Sequence, residues 1–228
     1  MQFALSEDQL AVRDMARDFA AEKIAPHAIR WDEEKHFPVD VMREAAGLGI
    51  GGIYINEDVG GSGMTRFDAA LIFEALGHGC PTVSDSIHNM ASWMIDAFGN
   101  AAQREKWLPR LCTMELLASY CLTEPSRVGL GRGQLTHPCG PRRRLLCAER
   151  PKTAHLGCWR RHLYVVMVRT GGEGPGGIST LVVEGDTPGL LLGANERKMG
   201  WNAQPTRAVI FENARVPIAN RLGEQGIG

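Results

Sequence analysis

Three histidines and three cysteines crowd into one stretch of this 228-residue chain: His137, Cys139, Cys147, His155, Cys158 and His162. Thiolate and imidazole are the ligands zinc takes most readily, so the crowding invites a metal reading. The spacing does not support one. Seven residues lie between Cys139 and Cys147 and ten between Cys147 and Cys158, and neither gap makes the CxxC pair or knuckle that turns two ligands toward one ion. No metal site is expected. A second candidate is "DVGGSG", residues 58–63, whose successive glycine amides could cradle a phosphate. It lacks the Lys-Ser/Thr of a nucleotide loop and follows no strand-like run, so it reads as a connection between helices. A third candidate is Thr123, a hydroxyl that can both donate and accept, followed by Glu124. On residue types alone Thr123 is a strand-end hydroxyl and Glu124-Pro125 a turn.

The elements that must position these groups fall into two kinds. Up to about residue 118 the apolar residues recur at helical spacing. Ser6 with Gln9 forms a capping-box pattern, and Val12, Met15, Ala16 and Phe19 follow until Pro26. "FPVDVMREAAGLGI" predicts a second helix from Pro38 to the glycines at 47 and 49. "RFDAALIFEALGHG", "SDSIHNMASWMIDAFGN" and "AAQREKWLPRLCTME" predict three more, the last with a break or kink at Pro109. Met90, Trp93 and Met94 form an apolar stripe read as core. After Ala118 the pattern changes to "YVVMVR", "ISTLVVE", "TRAVIFEN" and "ARVPIAN", short β-branched runs parted by "TGGEGPGG" and "GDTPG". Helices first and strands afterwards predict an α+β chain, with an all-helical domain over 1–118 and an antiparallel β-barrel or sandwich over 119–228.

Composition sets the outer limits. A 44% hydrophobic content suits a folded protein with a sizeable core. A net charge of −1 gives no overall field to gather nucleic acid or an anionic membrane. The first residues carry many acids and no basic, apolar leader pattern, and no apolar run is long enough to cross a bilayer, so a cytoplasmic protein without membrane or nucleic-acid partners is expected. Six cysteines without a secretory pattern predict reduced thiols.

Three stretches go further than pattern. "SYCLTEP" at 119–125, "KMGWNAQPTRAVIFENARVPIANRLGEQGIG" at 198–228 and "EDVGGSGM" at 57–64 resemble the acyl-CoA dehydrogenase family of flavoenzymes. "SIHNMASWMIDAFGN" together with "GWNAQPTRAVIFE" is similar to its isobutyryl-CoA, short branched-chain branch. The resemblance implies a helical domain, a middle β domain and a carboxy-terminal four-helix domain, with FAD held among them and a homo-oligomer as the assembly. It implies α,β-desaturation of an acyl-CoA thioester, with electrons passed to an electron-transferring flavoprotein. Carried over position by position, Tyr120, Cys121, Leu122 and Thr123 match the strand that lies against the flavin ring and are the expected cofactor-binding residues. No acid here matches the family's general base, so no catalytic residue is named. The chain stops at "GEQGIG", and the carboxy-terminal helical domain is expected to be absent.

Residues 126–163 depart from the family. They hold nine Lys and Arg against Glu149 alone, whereas the rest of the chain holds 16 basic and 25 acidic residues. The loop Gly-Ser-Gly-Ser-Asp, which the family places after "TEP", is missing. Permitted codons for Arg127 to Leu135, read one base later, spell Gly-Ser-Gly-Ser-Asp-Ala-Ala-Ser. The same shift permits Tyr-Val-Leu-Asn-Gly-Gln-Lys from Leu146 and Ile-Ser-Gly-Ala-Gly from His155. The stretch is therefore read as frameshifted, opened by one small insertion or deletion and closed by another near Leu163. Buried unpaired guanidinium groups cost several kcal/mol each, so the stretch is expected to loop out, disordered, or to leave the β domain partly unformed. Two functions follow: an FAD-dependent short branched-chain acyl-CoA dehydrogenase by descent, or an inactive fragment able only to fold and self-associate.

Overall fold

The computed structural model describes residues 4–83, 86–123, 139–142, 145–148, 152–155 and 162–226; for the three short pieces between 139 and 155, and for Val83 and Ser86, it describes the backbone alone. Among the described residues six α-helices come first: α1 (Glu7–Phe19), α2 (Ala28–Glu34), α3 (Val39–Ala46), α4 (Arg66–Gly79), α5 (Ser86–Phe98) and α6 (Ala101–Cys112). Capping boxes start three of them, Ser6 with Gln9, Thr65 with Asp68 and Asn100 with Gln103, each satisfying two otherwise orphaned amides. Pro26 does not end the helical path. A π-turn over Ala20–Ile24 and a 3-10 turn over Ala25–His27 place the proline near the start of a new turn, where its missing N–H is tolerated. α2 follows, unforeseen in the sequence pattern, and closes on Lys35 at φ 54°.

The strands are β1 (Leu117–Thr123), β2 (Cys139–Arg142), β3 (Leu145–Ala148), β4 (Lys152–His155), β5 (His162–Arg169), β6 (Ile178–Glu184), β7 (Leu190–Asn195), β8 (Thr206–Phe211), β9 (Ala214–Pro217) and β10 (Arg221–Leu222). Seven form one sheet in the order β10-β6-β5-β1-β4-β8-β7, and β2-β3-β9 form a second. The α+β class is as expected, with one refinement: β1 runs parallel to β5, while the other described ladders are antiparallel.

β2, β3 and β4 lie inside the basic stretch expected to loop out. Where it is described, the backbone is instead paired: β3 with β9, and β4 with both β1 and β8. The physical reason is that ladder hydrogen bonds join main chains and do not depend on which side chains the strands carry. Residues 126–138, 143–144, 149–151 and 156–161 lie outside the described residues.

Three apolar clusters hold the parts together. One sits within the helices and includes Ile24, Trp31, Met42, Ile72 and Leu76. In the second, Ile95, Trp107, Leu108 and Leu111 of α5 and α6 pack on Leu163, Val165 and Met167 of β5. The third fills the space between the sheets with Tyr164, Val166, Val168, Phe211 and Val216. Odd and even positions of β5 therefore face opposite layers, as the period-two geometry of a strand requires. A loop at 198–205 ties the β region back to the helices: Ala203 is fully buried in the helical cluster, and the Asp32 carboxylate accepts from the Asn202 amide at 2.7 Å and from Asn202 Nδ2 at 2.9 Å.

Candidate functional site

β1 is an interior strand, with β5 on one side and β4 on the other. Its register with β4 pairs Tyr120 with His155, Cys121 with Ala154 and Thr123 with Thr153, so Leu122 is an extra residue. Such a bulge twists the strand and leaves one residue out of the ladder. The four expected cofactor residues therefore differ in what they can offer. Cys121 is fully buried between the sheets, so only its backbone could meet a ligand. Tyr120 and Leu122 are half-buried and pack toward α5 and α6. Thr123 is half-buried at the end of the strand, immediately beyond the bulge that re-aims it. A hydroxyl, a flat apolar flank and a residue freed from the ladder suit the edge of a planar, polar-rimmed ring such as an isoalloxazine.

β1 is set in place from below by α5. The stripe His88, Ala91, Ser92 and Ile95 is buried along one face of this helix, at i, i+3, i+4 and i+7 spacing. His88 Nδ1 accepts from the Ala118 amide at 3.0 Å, and Nε2 donates to the Leu111 carbonyl at 3.1 Å. A backbone amide can only donate, which fixes the tautomer. Burial holds this imidazole down at about 4. Neighbouring Asn89 accepts from the Ile53 amide at 2.8 Å and donates to the Ile50 carbonyl at 2.9 Å. The apolar stripe expected from sequence to form core is Met90, Trp93 and Met94. Met94 is buried, but Met90 and Trp93 are only half-buried, and Trp93 lies under the Arg66 guanidinium at 4.2 Å. Two polar residues on the apolar spacing of a helix were the signal available for His88 and Ser92.

"DVGGSG" is a connection, as its composition suggested. The amides of Gly60, Gly61, Ser62, Gly63 and Met64 donate to the carbonyls of Glu57, Asn56, Gly52, Ile55 and Ile53, which leaves none of those amides for an anion. The Cys and His cluster between 137 and 158 lies outside the described side chains. At the opposite end of β1 from Thr123, about 20 Å away at strand rise per residue, a cleft of about 310 Å³ is lined by Arg43, Lys106, Arg110, Glu115, His162 and Glu184. Its charges are largely spent on each other, Lys106 with Glu184 at 2.6 Å and Arg110 with Glu115 at 2.7 Å. His162 Nδ1 is buried there without a partner among the described residues. Burial, with His88 and Arg43 adding to it, pushes that imidazole down to about 3.

Comparison with known proteins accounts for this arrangement of helices, bulged strand and paired sheets. Residues 6–115 match the description "Acyl-CoA dehydrogenase, N-terminal domain". The chain is 50% identical to the mitochondrial isobutyryl-CoA dehydrogenase of Bos taurus over 226 residues, 98% of this chain and 54% of that protein. The chain belongs to the acyl-CoA dehydrogenase family. Its fold superposes on butyryl-CoA dehydrogenase from Megasphaera elsdenii with a TM-score of 0.91 at 29% identity, covering 100% of this chain and 61% of that one. It superposes on an acyl-CoA dehydrogenase complexed with FAD from Bacillus anthracis with a TM-score of 0.87 at 28% identity, covering 98% of this chain and 38% of that one. The chain thus spans about half the length of the curated relative it matches. Among the described residues no helix is long and apolar enough to cross a membrane.

Proposed function

We propose that this chain is the helical and middle part, residues 1–118 and 119–228, of a short branched-chain acyl-CoA dehydrogenase acting on an isobutyryl-CoA-like thioester. The observation that carries the reading is the identity to an isobutyryl-CoA dehydrogenase along nearly the whole chain. Tyr120, Leu122 and Thr123 would hold FAD, Thr123 by its hydroxyl and the bulge by its freed backbone, with Cys121 contributing main chain only. When bound, FAD supplies the hydride acceptor for desaturation between the α and β carbons of the acyl group. The residues of β1 bind and orient, and we assign none of them a proton-transfer role. An electron-transferring flavoprotein would be the electron acceptor, and a homo-oligomer the assembly.

The chain as it stands is proposed to be inactive. The frameshift read across residues 126–163 removes the Gly-Ser-Gly-Ser-Asp loop that the family places after "TEP". Purified protein is expected to be colourless or weakly yellow and to reduce no dye with isobutyryl-CoA. Stoichiometric flavin absorbance with turnover would overturn the inactive reading. A cytoplasmic location is the expectation from sequence. The Bos taurus relative is mitochondrial by name, and subcellular fractionation separates the two.

A further inference from the structure

His88, on α5, bridges the end of α6 and the start of β1. Leu111 is the next-to-last residue of α6, and its carbonyl, already taking the Met114 amide at 2.9 Å in the closing turn, keeps a second lone pair for a side-chain donor. Ala118 lies in β1 beyond the end of the β4 ladder, whose last residue His155 stands opposite Tyr120. The imidazole bridges the two, accepting from Ala118 at 3.0 Å and donating to Leu111 at 3.1 Å, while 1% exposed. We infer that His88 is an acid-sensitive latch between the helices and β1: one proton added at Nδ1 replaces the acceptor that holds the Ala118 amide, and the strand is released from α5.

The surroundings make protonation incompatible with the closed joint. From β5 comes His162, a second imidazole that feels both His88 and Arg43 of α3. From α6 comes Cys112, whose thiol burial pushes up to about 11 and so keeps neutral. The carbonyls of Leu111 and Gly51 favour the charged imidazole, but desolvation outweighs them, and no carboxylate among the described residues acts on it. The imidazole takes its proton at about 4 when closed and at 6.5 when free. The closed joint is therefore fully favoured above 6.5 and weakens as pH falls below it, flattening below about 4.

Hydrogen exchange of the full chain, read at amides 116–123 and corrected for intrinsic rates, tests the latch. Protection should fall about fortyfold between pH 6.5 and 4.5, the slope approaching a factor of ten per unit only midway between the free value of 6.5 and the closed value of about 4. His88→Gln keeps an amide donor and acceptor but no titrating nitrogen, and its protection should be lower at pH 7.5 yet flat with pH. Unchanged protection in the wild type, or the same acid-driven loss in H88Q with His162 still present, would overturn the inference. Should H88Q fail to fold, nitrogen spectra of the wild-type imidazole decide. An Nε2–H tautomer whose titration coincides with the loss of protection supports the latch, and the other tautomer or a titration near 6.5 refutes it.

Discussion

Replacing Asp32 with alanine should loosen the contact between the helices and the β region by a calculable amount. The Asp32 carboxylate takes two good hydrogen bonds from Asn202, at 2.7 and 2.9 Å, and a longer one from the Ala203 amide at 3.4 Å. The Asn202 side chain, ahead of the backbone amides, holds the carboxyl below its ordinary value of 3.8. Bonds to a charged group contribute about 1.5–3 kcal/mol each when buried. Asp32 is half-exposed, so about half of that survives solvent screening, roughly 2 kcal/mol in all. With a urea slope of about 2–3 kcal/mol per molar, the unfolding midpoint of Asp32→Ala should fall by about 0.7–1 M. Asp32→Asn keeps one carbonyl acceptor and should lose about half as much. Because the folded pKa is depressed, the stabilisation is present above 3.8 and is lost only as pH falls below it. The gap between wild type and D32A should thus stay constant from pH 7 to about 4, unlike any effect of His88. A D32A midpoint within about 0.1 M of wild type would refute the view that this carboxylate holds the 198–205 loop to α2.

Other outcomes follow from close packing. Gly51→Ala would drive a methyl group into the Cys112 carbonyl oxygen, and the protein is expected in the insoluble fraction. Gly60→Ala meets open space at φ +89°, and should fold with a loss of about 1–2 kcal/mol by chemical denaturation. His162→Leu removes a buried nitrogen without a partner among the described residues; it should stabilise the protein by about 1 kcal/mol, read as a melting temperature raised by about 2–4 °C, and a lower melting temperature would show that the nitrogen is satisfied.

The helical half of the fold was legible because its signals are local. Ser6 with Gln9 and the glycines after residue 46 announce where turns begin and end within a few residues of sequence. α2 was not legible, since Pro26 reads as a stop and only the π-turn before it lets the chain restart. The strands from β5 onward showed as β-branched runs. β2, β3 and β4 did not, because a basic, proline-bearing stretch carries no alternating pattern and its pairing is a property of the main chain. The parallel β1–β5 ladder is a long-range choice that no window of sequence contains. At the candidate site the residues of β1 were found through family motifs, whereas the bulge at Leu122 and the His88 joint needed coordinates. Each depends on a partner about 30 residues away.

The shifted reading frame across residues 126–163 can be tested directly. Sequencing the coding DNA should find codons whose neighbouring frame spells Gly-Ser-Gly-Ser-Asp, then Tyr-Val-Leu-Asn-Gly-Gln-Lys, then Ile-Ser-Gly-Ala-Gly, in that order. Codons that cannot yield those three motifs would contradict it, and the basic stretch would then be a native part of this dehydrogenase fold.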